Sequence, residues 1–354
     1  MDVAPTPTGI PSTTAVDDAV RSDDPGHIRM VVGVWLLVLG FASITAYWSH
    51  HVGVPLRDPE GKMFRVRLTT ALVIFCALAL ADAVLRARRA GWPLRRTPTM
   101  LRLRWPANRL ALAVSGLVAY HAVYVCYRNL KSWDVFNTLQ DDALLRLDRW
   151  LFFGNSPAVL LHNMLGEQAA AYPLETVYRA FTYLVPLSLI AALVFTDRIR
   201  EGYVFLASAM WIWILGTGAY YLIPSLGPFA SAPQEFAGLP HTKITDTQAE
   251  YLAERAHMLA DRGAPDAFNS ISAWASLHVG FVTLIVLMLH YYGKRLAAAL
   301  MTLYLLTVML ATIYFGWHYV TDDVAGVLMA YLAVRLGRWM IGRPPDTVAP
   351  APVG

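Results

Sequence analysis

The sequence predicts an all-α integral membrane protein, and three observations carry that fold class. Hydrophobic residues make up 56% of the 354-residue chain and charged residues only 15%, whereas a soluble domain carries about 25% charged residues. The apolar residues gather into eight runs, each near the roughly 20 residues that a helix needs to cross a bilayer. Most of the arginines and lysines lie between those runs.

In chain order the runs are Ile28 to Trp48, Val66 to Leu85, Leu110 to Tyr127, Leu174 to Phe195, Tyr203 to Ile223, Ala273 to Tyr292, Leu296 to Phe315 and Val320 to Trp339. The first follows a polar leader and exceeds the roughly 7 to 15 apolar residues of a signal peptide, so it reads as a retained anchor. Residues 1–26 and 342–354 lack the apolar content to fold and are predicted to be a disordered leader and tail. Between them, residues 27–107 hold two helices and a basic loop, and residues 108–341 hold a six-helix unit. Cys76 and Cys126 fall within spans without motif spacing, so neither a disulfide framework nor a zinc site follows.

Eight spans sort the connecting segments into two sets. The set with both termini and the loops near 86–109, 197–202 and 293–295 holds 17 arginines and lysines, and the other holds 11 in far longer loops. The positive-inside rule makes the first set cytoplasmic, with both termini there and the long loops on the extracytoplasmic face of the cell membrane. The formal net charge of +4 follows from that asymmetry and calls for no nucleic-acid partner.

The long loops carry helices of their own. Thr247-x-x-Glu250 reads as a capping box, followed by Leu252, Ala253, Ala256, Leu259 and Ala260 at helical spacing up to Gly263. Asp141 to Phe153 places Leu144, Leu147, Trp150 and Leu151 on one side before Gly154, and Ser156-Pro157 opens a second short helix. Amphipathic helices of this kind lie in the membrane interface, as structural support or as a cover over a lipid-facing site.

The chemistry sits in Ser276-Leu277-His278-Val279-Gly280 and Gly316-Trp317-His318-Tyr319-Val320-Thr321-Asp322, both at the long-loop end of a span. His318 lies four residues before Asp322, which puts the pair on one helix face. The carboxylate fixes the imidazole tautomer and leaves the other ring nitrogen as a basic lone pair, which makes a nucleophile. A second imidazole, His278, is suited to protonate a leaving oxygen and later deprotonate an incoming one. Ser276 is a good N-cap, and first-turn N–H groups bind anionic oxygens. The set suits phosphoryl transfer. Singly, each residue has a plainer reading: an interfacial or hydrogen-bonded histidine, or a solvated Asp322 or Asp323. A metal at His318 and Asp322 is disfavoured because no further Cys, His or Glu cluster accompanies them, and no cofactor is predicted. Gathered at one face, they point to function, since ionisable groups at membrane depth are costly.

Ser276-x-His278 followed by His318-x3-Asp322 resembles the second and third signature motifs of the type 2 phosphatidic acid phosphatase superfamily, membrane enzymes that act through a phosphohistidine. The likeness is closest to the branch of inositol phosphorylceramide synthase and its bacterial relatives. Gly218-Ala219-Tyr220-Tyr221-Leu222-Ile223-Pro224 with Pro228, Asp148-Arg149-Trp150-Leu151-Phe152-Phe153-Gly154, Arg128 beyond Tyr124, and Tyr178 to Pro186 are similar to that branch too. The resemblance spans Leu110 to Gly337 and leaves the first two helices as an addition. It implies that His318 is the nucleophile, Asp322 its orienting base and His278 the acid, with Ser276, Arg128 and Tyr220 at the substrate. The sequence departs from the family in three places. It has no Lys-x6-Arg-Pro motif, Thr312 stands where an arginine precedes the nucleophile by six residues, and Ala275 replaces a proline. Arg128, Arg179 and Lys243 are the candidates for the missing cations, with Arg128 preferred.

The expected activity is a lipid phosphotransferase or phosphatase that acts through a phosphohistidine on a phospholipid or polyprenyl (pyro)phosphate at the extracytoplasmic face. Transfer to a polyol or other alcohol is favoured, with the loop of residues 224–272 excluding water, and pure hydrolysis is the alternative. A different class would use His121, His162, His278, His290 and His318 to ligate haem, or Asp82 and Arg179 in a transport path. The phosphohistidine reading predicts a colourless purified protein, and a Soret band in its absorption spectrum would favour haem instead.

Overall fold

The computed structural model describes residues 25–342. The expected leader and tail lie outside them, apart from residues 25–26, which open the first helix, and Gly342. Every regular element among the described residues is helical. Helix α1 (Pro25–Val52) packs along α4 (Ala107–Trp133), α2 (Arg67–Arg89) lies between α4 and the later helix Ala171–Phe195, and a short α3 (Thr97–Arg104) on the basic face leads into α4. On the long-loop face, α5 (Asp141–Leu151) and α6 (Pro157–Leu165) precede the antiparallel pair α7 (Ala171–Phe195) and α8 (Ile199–Leu222). A single turn, α9 (Pro228–Ser231), and α10 (Lys243–Ala260) cover the same face. Helices α11 (Leu277–Tyr291), α12 (Arg295–Tyr314) and α13 (Val320–Ile341) complete the bundle.

Seven of these helices are long and apolar enough to cross a membrane, and the eighth expected span differs. The run Ala273 to Tyr292 is helical only over Leu277–Tyr291, 15 residues, or about 22 Å at 1.5 Å per residue, short of the roughly 30 Å hydrocarbon core. Hydropathy alone cannot see this difference, because the residues before Leu277 are apolar but extended or irregular. The short helix is tolerated because its neighbours enclose it. Val279 through Val286 are all buried, and irregular backbone at membrane depth is stable only where protein surrounds it. The N-terminus of α11, with Ser276 and His278, is therefore recessed inside the bundle.

Small residues bring α11 and its neighbours close, as membrane helices require in place of a hydrophobic driving force. A Cβ on Gly326 of α13 would lie 2.4 Å from the Ser276 carbonyl oxygen, and one on Gly280 of α11 would lie 3.1 Å from the Gly326 carbonyl. Helix α12 is lipid-facing along Leu296, Leu300, Leu303, Leu306 and Leu310, all exposed at the three- and four-residue steps of one helix face.

Several expectations need correction. Helix α10 starts one turn earlier than Thr247: Thr242 accepts the Thr245 N–H at 3.3 Å, and the Thr245 hydroxyl accepts the Thr242 N–H at 2.9 Å. A threonine hydroxyl makes the reciprocal bond that a glutamate makes in the usual capping box, and Lys243, expected in a loop, is the first residue of that helix. Asp82 sits in an ion-pair cluster on the basic face. It receives Arg86 Nε at 2.9 Å and Arg104 Nε at 3.3 Å, in a cluster whose Arg104 and Arg109 also hold the Thr196 and Asp197 carbonyls at the end of α7. Arg179 is 59% exposed and pairs with Glu175.

Gly326→Ala is expected to cost about 1 to 3 kcal/mol through overpacking against the Ser276 carbonyl and to lower the melting temperature in detergent. Gly218→Ala, where nothing lies within 4 Å, serves as the control and leaves the melting curve in place.

Candidate active site

The turn between α12 and α13 carries His318. It begins at Gly316, whose φ of +68° suits a residue without a side chain; a Cβ there would also meet the Phe236 ring at 2.4 Å. The Gly316 carbonyl accepts the Phe229 N–H at 2.9 Å. In the first turn of α13, Asp322 Oδ2 accepts the Tyr319 N–H at 3.0 Å and faces His318 Nδ1 at 3.4 Å. The carboxylate is fully buried, so one oxygen both caps the helix and orients the ring. Burial, with His278 and Lys131 nearby, holds the His318 imidazole well below the ordinary histidine range, which keeps the ring neutral.

The start of α11 is tied to the same turn. Ser276 accepts the Val279 N–H at 3.3 Å through its side chain and donates its own N–H to the Asp322 carbonyl at 3.1 Å. With its polar groups engaged and its surface fully buried, Ser276 shapes the helix start rather than facing an open site. The His278 ring lies 5.8 Å from the His318 ring, centroid to centroid, and is held against Tyr178 at 4.5 Å and Phe181 at 4.4 Å on α7. Tyr178 stacks on Trp317 in turn. Thr312, at the position where an arginine was sought, donates its hydroxyl to Asp323 at 3.0 Å and so braces α12 against α13.

Of the three cation candidates, Arg128 lies on the wall of α4 against the segment that leads into α11. It donates to Ser270 Oγ at 3.1 Å and lies over the Phe268 ring, while its Nε has no partner. Lys243 pairs with Asp246 in the open, and Arg179 pairs with Glu175. The sequence reading missed Lys131. Its charge acts on both His278 and His318, and its ammonium sits 5.2 Å from the centroid of the Tyr220 ring. The signal was the spacing: Lys131 follows Arg128 by three residues, which puts both on one face once α4 is seen to run on to Trp133. Hydropathy alone ends the span at Tyr127, four residues short of Lys131. Tyr220 is buried beneath Lys131 as part of an aromatic wall with Tyr127.

Two further carboxylates hold the His318 turn from α5. Asp141 accepts the N–H groups of Leu226 and Gly227 and the Tyr319 hydroxyl at 2.9 to 3.1 Å. Asp148 accepts the Val320 N–H at 2.9 Å, which places a carboxylate at the positive end of α13. Burial raises both above the usual carboxylate range, and these N–H donors oppose the rise. A spacing of seven residues puts both on one helix face, and that pattern was readable in the sequence. A narrow, partly open cleft runs past Asp148, Ser156, Glu235, His318 and Tyr319.

Two of the other histidines bond carbonyls: His121 Nδ1 lies against the Leu117 carbonyl and His162 Nε2 against the Tyr314 carbonyl. Among the described residues, no group of three or more His, Cys, Asp or Glu side chains is placed to hold a metal ion.

An all-helical membrane bundle with a paired-histidine site recessed at one end defines a class of membrane-embedded enzyme. Residues 142–336 match the family model of the PAP2 superfamily, more than half of the chain, and the protein belongs to that superfamily. Membership gives it a lipid phosphatase-type activity in general terms. Neither the curated proteins nor the solved structures compared with the chain give a match. The matched segment begins inside α5, so α1 to α4, with Arg128 and Lys131, precede it.

Because Asp148 touches the His318 turn through backbone alone, Asp148→Ala is expected to lower kcat by about tenfold, the equivalent of one lost cap, with KM little changed. Asp148→Asn keeps an acceptor for Val320 and restores most of the rate. Steady-state kinetics beside melting curves checks both.

Proposed function

We propose that this protein is a membrane lipid phosphotransferase that works through a phosphohistidine at the extracytoplasmic face of the cell membrane, in the branch resembling inositol phosphorylceramide synthase. The observation that carries this reading is the meeting of His318, Asp322 and His278 at the adjoining ends of α11 and α13, with Lys131 of α4 among the groups acting on His318.

The neutral His318 ring attacks phosphorus in line, a P–N bond forms, and the P–O bond to the leaving group breaks. The departing oxygen takes a proton from His278. In the second half-reaction His278 takes the proton of an incoming hydroxyl, the new P–O bond forms, and the P–N bond breaks to regenerate His318. Asp322 stabilises the charge on the His318 ring, and Lys131 with Arg128 stabilises the charge on the phosphoryl oxygens, where positioning and electrostatics supply most of the rate. The substrate is a phospholipid or polyprenyl (pyro)phosphate and the acceptor a polyol or other alcohol. Transfer is favoured over hydrolysis because α10 and the segments around it roof the recess and His318 is buried, which keeps water from the phosphoenzyme. The basic face, with the described ends of the chain, is cytoplasmic. Residues 108–341 form the catalytic unit, to which residues 27–107 are added.

The test incubates purified protein with labelled lipid phosphates, with and without polyols, alongside His318→Ala and His278→Ala. Label passing to the polyol is expected, with losses of roughly 10²- to 10⁴-fold in the His278 variant and no turnover in the His318 variant. Free phosphate released despite abundant polyol would instead mark a hydrolase, and turnover surviving in His318→Ala would sink the mechanism.

A further inference from the structure

We propose that the connection between α1 and α2 is a strap that sets the cation side of the site, with Arg57 as its positioning residue. The part that concerns substrate rests on the proposed role of Arg128 and Lys131 in holding phosphate.

Arg57 lies in the connection between α1 and α2 and is 9% exposed. Its backbone clasps the side-chain amide of Asn129 at two points: the Arg57 N–H donates to Asn129 Oδ1 at 2.8 Å, and Asn129 Nδ2 donates to the Arg57 carbonyl at 2.9 Å. Asn129 stands between Arg128 and Lys131 on α4. The Arg57 guanidinium meanwhile donates to the carbonyls of Arg262 and Ala267. These flank the turn that leads from α10 into the extended segment before α11.

That segment is fastened to α4 residue by residue. The Asn269 N–H donates to Ser132 Oγ at 2.9 Å, Arg128 donates to Ser270 Oγ at 3.1 Å, and Ser272 Oγ donates to Asp134 Oδ2 at 2.9 Å. Arg57 closes the end of this seam by gripping α4 with its backbone and the segment with its side chain. Its guanidinium bonds the Arg262 and Ala267 carbonyls and the Met258 sulfur at 3.8 Å and, among the described residues, no carboxylate, so the side chain orders backbone. A planar guanidinium reaches two carbonyls at once, which a lysine ammonium does less well. The start of α2 touches the same wall where Arg67 lies over the Tyr124 ring at 4.5 Å. Among the described residues, Arg57 bonds none of the His318 turn, so its effect falls on how the cations are held and not on the nucleophile.

Hydrogen exchange and kinetics on the full chain in detergent test this inference. In Arg57→Ala, amides of residues 262–272 are expected to exchange about tenfold faster, as for loss of a local brace, while residues 316–326 stay as protected as in the parent. With short-chain phosphatidic acid in micelles, KM rises about tenfold at nearly constant kcat, the pattern of lost substrate binding. Arg57→Lys does not rescue, and combining Arg57→Ala with Arg128→Ala adds little beyond Arg128→Ala. Should Arg57→Ala not fold, Asn129→Ala removes the backbone clasp alone and reports the same pattern. Unchanged exchange over 262–272 overturns the strap. A fall in kcat at constant KM, or additive effects with Arg128→Ala, overturns its link to the cations. Absence of turnover in the parent protein removes the phosphotransfer reading, while the exchange data still decide the strap.

Discussion

Asp322 joins the two halves of the site. Its side chain caps α13 at Tyr319 and faces His318, and its main-chain carbonyl takes the N–H of Ser276 at the start of α11. A single residue therefore sets the orientation of one imidazole and the position of the helix that carries the other. The arrangement works only because α11 and α13 approach closely enough for a backbone bond between them. That approach depends on Gly280 and Gly326, where any side chain would meet the opposing main chain.

A recessed site imposes a second requirement. The segments around Gly227, Ser270 and Gly316 are irregular, and each backbone group removed from water needs a protein partner. Asp141 takes Leu226 and Gly227, Asp148 takes Val320, Ser225 takes Ala273 and Trp274, and Ser132 takes Asn269. These groups do structural work in a place where every unpaired N–H is expensive, and they position the reactive side chains at the same time. The amphipathic helix α5 is the clearest case. One face supplies Asp141 and Asp148 to the His318 turn, and the other exposes Trp150 and Leu151, as an interfacial helix does.

The cations show how the site departs from a motif-level description. The expected lysine motif is missing, and Thr312 occupies the place of an arginine, yet Lys131 on α4 acts on His318, one turn beyond Arg128. Charge can be delivered from any element that passes within a few ångströms, whereas a nucleophile and its orienting carboxylate must share a local geometry. The cations therefore sit upstream of the segment that matches the superfamily, while the His318 and Asp322 spacing stays inside it.

The sequence by itself determined the all-helical membrane fold, seven of the eight spans, the basic face and the pairing of His318 with Asp322. Each of these depends on local quantities: run length, charge between runs, and the rise of one helical turn. Only the tertiary structure decided that α11 is a short helix buried in the bundle, that Ser276 is consumed in holding it, that Lys131 joins Arg128, and that Arg179 and Lys243 lie outside the site. It also gave the first two helices a contact with α4 through Arg57 and Asn129. These facts depend on which distant segments meet, and such meetings are set by close packing and by the satisfaction of buried polar groups, which no window along the chain contains.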